Sequence, residues 1–310
     1  ITFENYFGES LDTRKIEDVP LSYIPNNIDL LTAGFPCQPF SLAGLKKGFD
    51  DPRGSLFDKV AEIIEDKKPR AFLLENVKHL KSHNRGETLK YILDTLRNRL
   101  NYFVPEPQIL NSKYFGVPQN RQRIYIVGFR DKEDFERFEY PESKTEVPKL
   151  ESILEKDVED DFYYLSQKYL DGLIEHKNRH KGKGNGFGLE ILDPEGISNT
   201  LVVGNMGRER NLIKDHSSKV AFLKNDKGIR KLTIRECARL QGFPDNFYFD
   251  LVSKTQAYKQ LGNTVTISVI EIISKQIAGV LQNTLIKQDN KMSSVIVKNK
   301  RLGQKFIYAT

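Results

Sequence analysis

Two short apolar runs, each ending on a residue able to do chemistry, constrain this chain most. The first, Ile28-Asp-Leu-Leu-Thr-Ala-Gly34, reads as a buried strand that gives way to the irregular Pro36-Cys37-Gln-Pro39. The second, Arg70-Ala-Phe-Leu-Leu-Glu75, reads as a buried strand closing on a carboxylate. Between them Leu56, Val60, Ile63 and Ile64 recur at helical spacing over 55–67. Strand, helix, strand in this order predicts a parallel pair in an α/β fold. An amphipathic helix over 88–100, an extended segment over 104–110 and a strand over 123–128 continue the pattern. Ligands of such folds bind at the C-terminal ends of the strands, and this reading brings Cys37 and Glu75 to that edge. A cysteine is otherwise most often a small buried apolar residue, but a Pro-Cys-Gln-Pro turn aims a side chain rather than burying it. Glu75, at the buried end of its run, is expected to be kept protonated by desolvation.

Beyond 130 the pattern changes. Residues 131–161 carry 13 acids and 5 bases, whereas 177–231 carry 12 bases and 6 acids and are rich in Gly, Lys, Arg and Asn. This basic stretch reads as a second domain of loops and short strands that attracts a polyanion. A short helix over 235–240 precedes the turn at Gly242-Phe-Pro-Asp245, and the last strong helix spans 265–281. The tail over 281–310 sets six bases against Asp289 within an overall charge of +6. No run approaches the roughly 18 apolar residues of a bilayer span, which predicts a soluble, cytoplasmic protein without membrane contact. The two cysteines, Cys37 and Cys237, are too few for a disulfide framework and lack the spacing of a zinc site, so no metal is expected.

Five segments then fall into a recognisable order. Gly34-Phe-Pro-Cys37-Gln-Pro-Phe-Ser41 resembles the nucleophile motif of DNA cytosine-5 methyltransferases. Glu75-Asn76-Val77 is similar to the family's Glu-Asn-Val motif, and Gln119-Asn-Arg121-Gln-Arg123 to its Gln-x-Arg-x-Arg motif. The segment Arg235-Glu-Cys-Ala-Arg-Leu-Gln-Gly-Phe-Pro-Asp245 is similar to its Arg-Glu-x-Ala-Arg-x-x-Gly-Phe-Pro segment, and Gly262-Asn263-Thr264-Val265 to its Gly-Asn-x-Val motif.

The resemblance implies an α/β fold: a Rossmann-like S-adenosylmethionine-dependent methyltransferase domain with a second, smaller loop-and-strand target recognition domain. The catalytic domain would take 1–150 and 263–283, the recognition domain 151–234 and a hinge 235–262, with 284–310 a basic tail. It implies methyl transfer from S-adenosylmethionine to C5 of a flipped-out cytosine in a specific duplex DNA sequence, for protection from a cognate restriction endonuclease. Cytosine C5 is a poor nucleophile until a thiolate adds at C6, the role implied for Cys37. Glu75 would meet the developing charge at N3, with Asn76 holding the loop or the carboxyl group, and Arg123, with Arg121 beside it, would hold the base or orient Cys37 and Glu75.

A reacting base must leave the stack, so the loop over 41–53, with Ser41, Lys46 and Arg53, is the candidate lid over the DNA. Thr200 resembles the first residue of the Thr-Leu pair often found in recognition domains, and Arg208 and Arg210 are candidates for base contacts. For the cofactor the resemblance points to Asp12, Thr13, Pro36, Leu56, Asn263 and Thr264. The family's first strand and its Phe-x-Gly-x-Gly loop have no counterpart here, so the expectation is a fragment, or a separate segment or subunit supplying that loop, acting as a monomer on nucleoid DNA. Two other readings compete: an RNA cytosine-5 methyltransferase, and a catalytically silent DNA-binding subunit. Cys237 is expected to be structural.

Overall fold

The structure, a computed structural model, describes residues 2–8, 11–36, 56–181, 188–203 and 209–292, with side chains through 282. Cys37, Ser41, Lys46, Arg53 and Arg208 lie outside the described residues, as do the side chains of the whole 284–310 tail. The chain divides into two compact units, one of residues 12–110, 122–142 and 272–310, the other of 1–11, 111–121 and 143–271.

The first unit is built on a four-stranded sheet. Strand β1 (Leu30–Gly34) leads to helix α1 (Leu56–Lys67), strand β2 (Ala71–Val77), helix α2 (Glu87–Asp94), strand β3 (Gln108–Asn111), strand β4 (Gln122–Phe129) and helix α3 (Lys132–Arg137). The spatial order is β1-β2-β4-β3. As the strand–helix–strand order predicts, β1 and β2 are parallel, in a register running from Leu30 opposite Ala71 to Gly34 opposite Glu75. β4 runs antiparallel to β2, from Ala71 opposite Phe129 to Val77 opposite Arg123. The sheet is therefore mixed, which the run of apolar residues in β4 does not reveal.

The apolar faces explain the elements. Phe57, Val60, Ala61, Ile63 and Ile64 of α1 are buried and pack with Leu31, Ala33, Phe72, Leu74, Ile124 and Ile126 in one core. Each buried Val, Leu, Ile or Phe among them contributes roughly 1.5–3 kcal/mol on burial. Gly128 in β4 is required by contact: a Cβ there would stand 2.1 Å from the Phe72 ring.

The second unit has its own core. Helix α4 (Gln167–Lys181), strand β5 (Leu212–Lys214), helix α5 (Lys219–Lys224), strand β6 (Ile229–Lys231), helix α6 (Ile234–Leu240) and helix α7 (Lys254–Asn263) belong to it; helix α8 (Ile267–Met292) starts in it. β5 and β6 form an antiparallel pair, and a two-residue parallel ladder joins Gln119–Asn120 to Ser198–Asn199. The Gly- and Lys-rich stretch thus holds short strands as expected, and also the polar helix α4, whose only fully sequestered residue is Leu170.

Ser253 caps α7, and Thr233 caps α6 in a reciprocal box with Glu236. Glu236 also accepts two 2.8 Å bonds from Arg230, whose Nε reaches Asp215 at 2.6 Å. Burial lowers the Arg230 pKa, but the Glu236 and Asp215 carboxylates outweigh it and push it up. At Asp215 desolvation pushes the carboxyl up, while bonds from Ser217 and Arg230 more than reverse this and hold it below its ordinary range. Cys237 is 2% exposed and packs in this core, the structural position expected of it.

Candidate active site

The site is built from strand ends. Gly34 and Glu75 stand opposite each other at the C-terminal ends of the parallel pair. A Cβ on Gly34 would lie 3.4 Å from Glu75 Oε2, so this carboxylate oxygen lies over the last residue of β1. Past that point Asn76, 2% exposed, donates from Nδ2 to the Phe35 carbonyl at 2.7 Å, and its Oδ1 accepts from the Val77 amide at 2.8 Å. The backbone entering Pro36 and then Cys37 is thereby tied to the strand that bears Glu75.

Arg123 reaches the same edge through the antiparallel register. Glu75 faces Tyr125, so Arg123, two residues away on β4, shares the face of Glu75 as its diagonal neighbour. Arg123 Nε lies 2.9 Å from Glu75 Oε1, with both side chains largely enclosed. The guanidinium beside it acts against the desolvation expected to keep the carboxyl neutral.

Arg121 goes elsewhere. Its amide bonds to the Gln119 carbonyl at 3.0 Å, a tight turn that breaks the strand alternation which would have put Arg121 and Arg123 on one face. Its guanidinium, 3% exposed, donates to the carbonyls of Leu201 (2.8 Å), Gly262 (3.3 Å) and Thr264 (2.7 Å), all in the second unit. Gln119 grips the same residue: its Oε1 accepts from the Leu201 amide at 3.0 Å while Nε2 donates to the Leu240 carbonyl at 2.8 Å. Thr200 Oγ1 donates to the Asn120 carbonyl at 2.6 Å. Both backbone polar atoms of Leu201 are therefore held by side chains of the Gln-x-Arg segment. This role of Gln119 escaped the sequence reading, and its place in that segment was the signal.

The remaining described candidates fall in both units. In the first, Asp12 and Thr13 are exposed, Pro36 is exposed and Leu56 half-buried. Bonds from Arg14 Nε and Nη2 hold the Asp12 carboxyl down to about 2, so it is an anion at neutral pH. In the second, Asn263 is exposed and Thr264 half-buried at the end of α7. Arg210 is exposed, with a 3.6 Å approach to Glu190.

The chain is similar to known proteins in sequence and fold. The C-5 cytosine-specific DNA methylase family matches residues 1–279. The chain is 50% identical over 289 residues to Type II methyltransferase M.HpaII of Haemophilus parainfluenzae, covering 91% of this chain and 80% of that protein. It is 43% identical over 288 residues to Type II methyltransferase M1.ScrFI of Lactococcus lactis subsp. cremoris, covering 91% and 70%. Among solved structures, the Entamoeba histolytica methyltransferase EhMeth superposes with a TM-score of 0.65 at 20% identity, covering 92% of this chain and 86% of the other. A Spodoptera frugiperda DNMT2 mutant gives 0.64 at 22%, covering 89% and 88%. These two likenesses support the mixed-sheet, Rossmann-like fold. With family match, relatives and fold in agreement, the chain belongs to the C-5 cytosine-specific DNA methylases.

Proposed function

We propose that this chain methylates C5 of a cytosine swung out of duplex DNA, with Cys37 as nucleophile and Glu75, Asn76 and Arg123 completing the site. The observation that carries the reading is the meeting of Glu75, Arg123 and the Asn76-tethered exit of β1 at one strand edge, the tether two residues before Cys37. The Cys37 thiolate adds to C6 and moves electron density toward N3 and C5. Glu75 supplies a proton at N3, and Arg123 stabilises the carboxylate that this transfer leaves. Once C5 carries the methyl group, its proton departs to solvent, the bond from sulfur to C6 breaks and N3 returns its proton to Glu75, which restores the aromatic ring, the thiolate and the carboxyl group. Asn76 fixes the backbone that delivers Cys37.

S-adenosylmethionine supplies the methyl group as an electrophile. The donor set of the chain fits such a ligand: Asp12 is an exposed anion suited to an amine edge, Thr13 adds a hydroxyl, and Pro36 and Leu56 are apolar. Asn263 and Thr264 are assigned to the same ligand by motif.

Residues 1–150 with 263–283 form the catalytic domain in this reading, 151–234 the recognition domain, 235–262 the hinge and 284–310 a basic tail. Arg121 serves as a positioning residue for Thr200 and Leu201 rather than as a group on the base. Thr200, Arg208 and Arg210, with Ser41, Lys46 and Arg53 from the lid, contact the DNA. The relatives named as Type II methyltransferases support a role in a restriction-modification system.

Duplex DNA bearing 5-fluorocytosine at the methylated position tests the chemistry, because fluorine cannot leave as a proton does and the sulfur adduct persists. Incubated with S-adenosylmethionine, the chain should give a covalent complex that survives denaturing electrophoresis, and Cys37→Ser should give none. An adduct of equal yield in Cys37→Ser would remove Cys37 from the mechanism.

A further inference from the structure

The turn that follows β2 carries charge the site chemistry leaves unused. Lys78, His79, Lys81, His83 and Arg85 fall within residues 78–85 with no acid among them. Lys78, His79, Lys81 and Arg85 are exposed. Several other cations of the first unit stand beside a carboxylate: Lys59 with Glu62, Lys67 with Asp66, Arg97 with Glu106 and Lys132 with Glu136. Among the described residues Lys78, Lys81 and Arg85 have no such partner.

The turn is also held in shape. Leu80 is fully buried in the first core, and the Ser82 amide donates to the His79 carbonyl at 3.0 Å. His83 Nδ1 lies 2.7 Å from the Oγ1 of buried Thr88. Asn84, Arg85 and Gly86 take left-handed backbone angles in succession, φ 51°, 57° and 90°. A left-handed Arg costs on the order of 1 kcal/mol and persists only where its surroundings fix it. Three unneutralised cations on a fixed scaffold repel one another, and a polyanion relieves that repulsion.

Resting on the DNA reading of this chain, we infer that Lys78, Lys81 and Arg85 form a phosphate-binding turn that grips the DNA backbone flanking the extruded cytosine. Its position selects this occupant. Val77, immediately before the turn, stands opposite Arg123 in the sheet, so the turn begins beside the edge where Glu75 and Arg123 meet. A nucleotide presented at that edge brings its own phosphodiesters on both sides. Such contacts carry no sequence information; they set register and orientation.

Because the grip ignores sequence, a duplex of arbitrary sequence is a sufficient probe. The affinity of the full chain is measured by fluorescence anisotropy from 50 to 300 mM NaCl. Each phosphate contact contributes roughly 0.9 to the slope of log affinity against log salt. Lys78→Ala, Lys81→Ala and Arg85→Ala together should lower the slope by about 2 to 3, each single variant by about 1. Lys78→Arg with Lys81→Arg should keep the wild-type slope, and Lys132→Ala on α3 should keep it as well. A triple-alanine slope equal to a steep wild-type slope would refute the turn while leaving the DNA reading intact. So would arginine variants that lose the slope as alanine does, since that pattern reports a structural role. A wild-type chain with no salt-dependent DNA binding would instead overturn the reading beneath it.

Discussion

At the scale of single residues, the site turns on which of two neighbouring arginines reaches the carboxylate. Arg123 meets Glu75 through Nε, an atom that lysine lacks, so Arg123→Lys keeps the charge and loses the geometry. The expected outcome is a fall in kcat on the order of a hundredfold, with DNA affinity within a factor of about two. Single-turnover methylation and anisotropy on one preparation check both; a kcat near wild type would show that the pair is dispensable. Glu75 and Arg123 are each legible in the sequence as ends of apolar runs. Their pairing comes only as one of the roles the family resemblance implies, not from the residue pattern, because they lie 48 positions apart and meet only through the register of an antiparallel strand. Arg121 resisted prediction for a local reason: the turn from Arg121 to Gln119 reverses a periodicity that nothing in the residue types interrupts.

At the scale of elements, the end of α7 shows why a glycine precedes Asn263. A Cβ at Gly262 would stand 2.8 Å from the Val202 carbonyl carbon and the Val203 amide nitrogen, both backbone atoms that cannot step aside singly. Gly262→Ala should therefore cost about 1–3 kcal/mol of stability by overpacking. It should also weaken DNA binding, because Val202 and Val203 continue directly from the clamped Leu201. Urea unfolding followed by circular dichroism reads the first effect, and a midpoint identical to wild type would contradict the contact. The helices and strands with strong apolar periodicity, α1, β1 and β2, are evident from spacing alone. α4 is not, since its sequence is polar on nearly every side and only Leu170 is fully buried.

At the scale of the whole molecule, several buried and half-buried tyrosines tie stability to alkaline pH. Burial, aided by Asp58, pushes Tyr91 up to about 12, and burial pushes Tyr163 to about 12. Desolvation raises Tyr102 and Tyr140 further. In the unfolded chain these phenols ionise near their ordinary value of 10.0, while the folded state keeps its protons. The unfolded state then binds fewer protons, so stability is intact below about pH 10 and declines as pH rises from 10 toward 12. Urea midpoints measured between pH 8 and 11 should stay level and then fall, with a shallower fall in Tyr91→Phe. A midpoint that rises above pH 10 would reverse the assignment.

Residues 111–121, from the last residue of β3 to the one before β4, interrupt the first unit in sequence yet fold with the second. Gln119 and Arg121 of this insert hold Leu201, and through it the stretch assigned to DNA recognition. Anyone transplanting specificity between relatives therefore inherits a two-piece graft: a donor 143–271 installed without its own 111–121 would arrive with its anchor left behind in the parent chain.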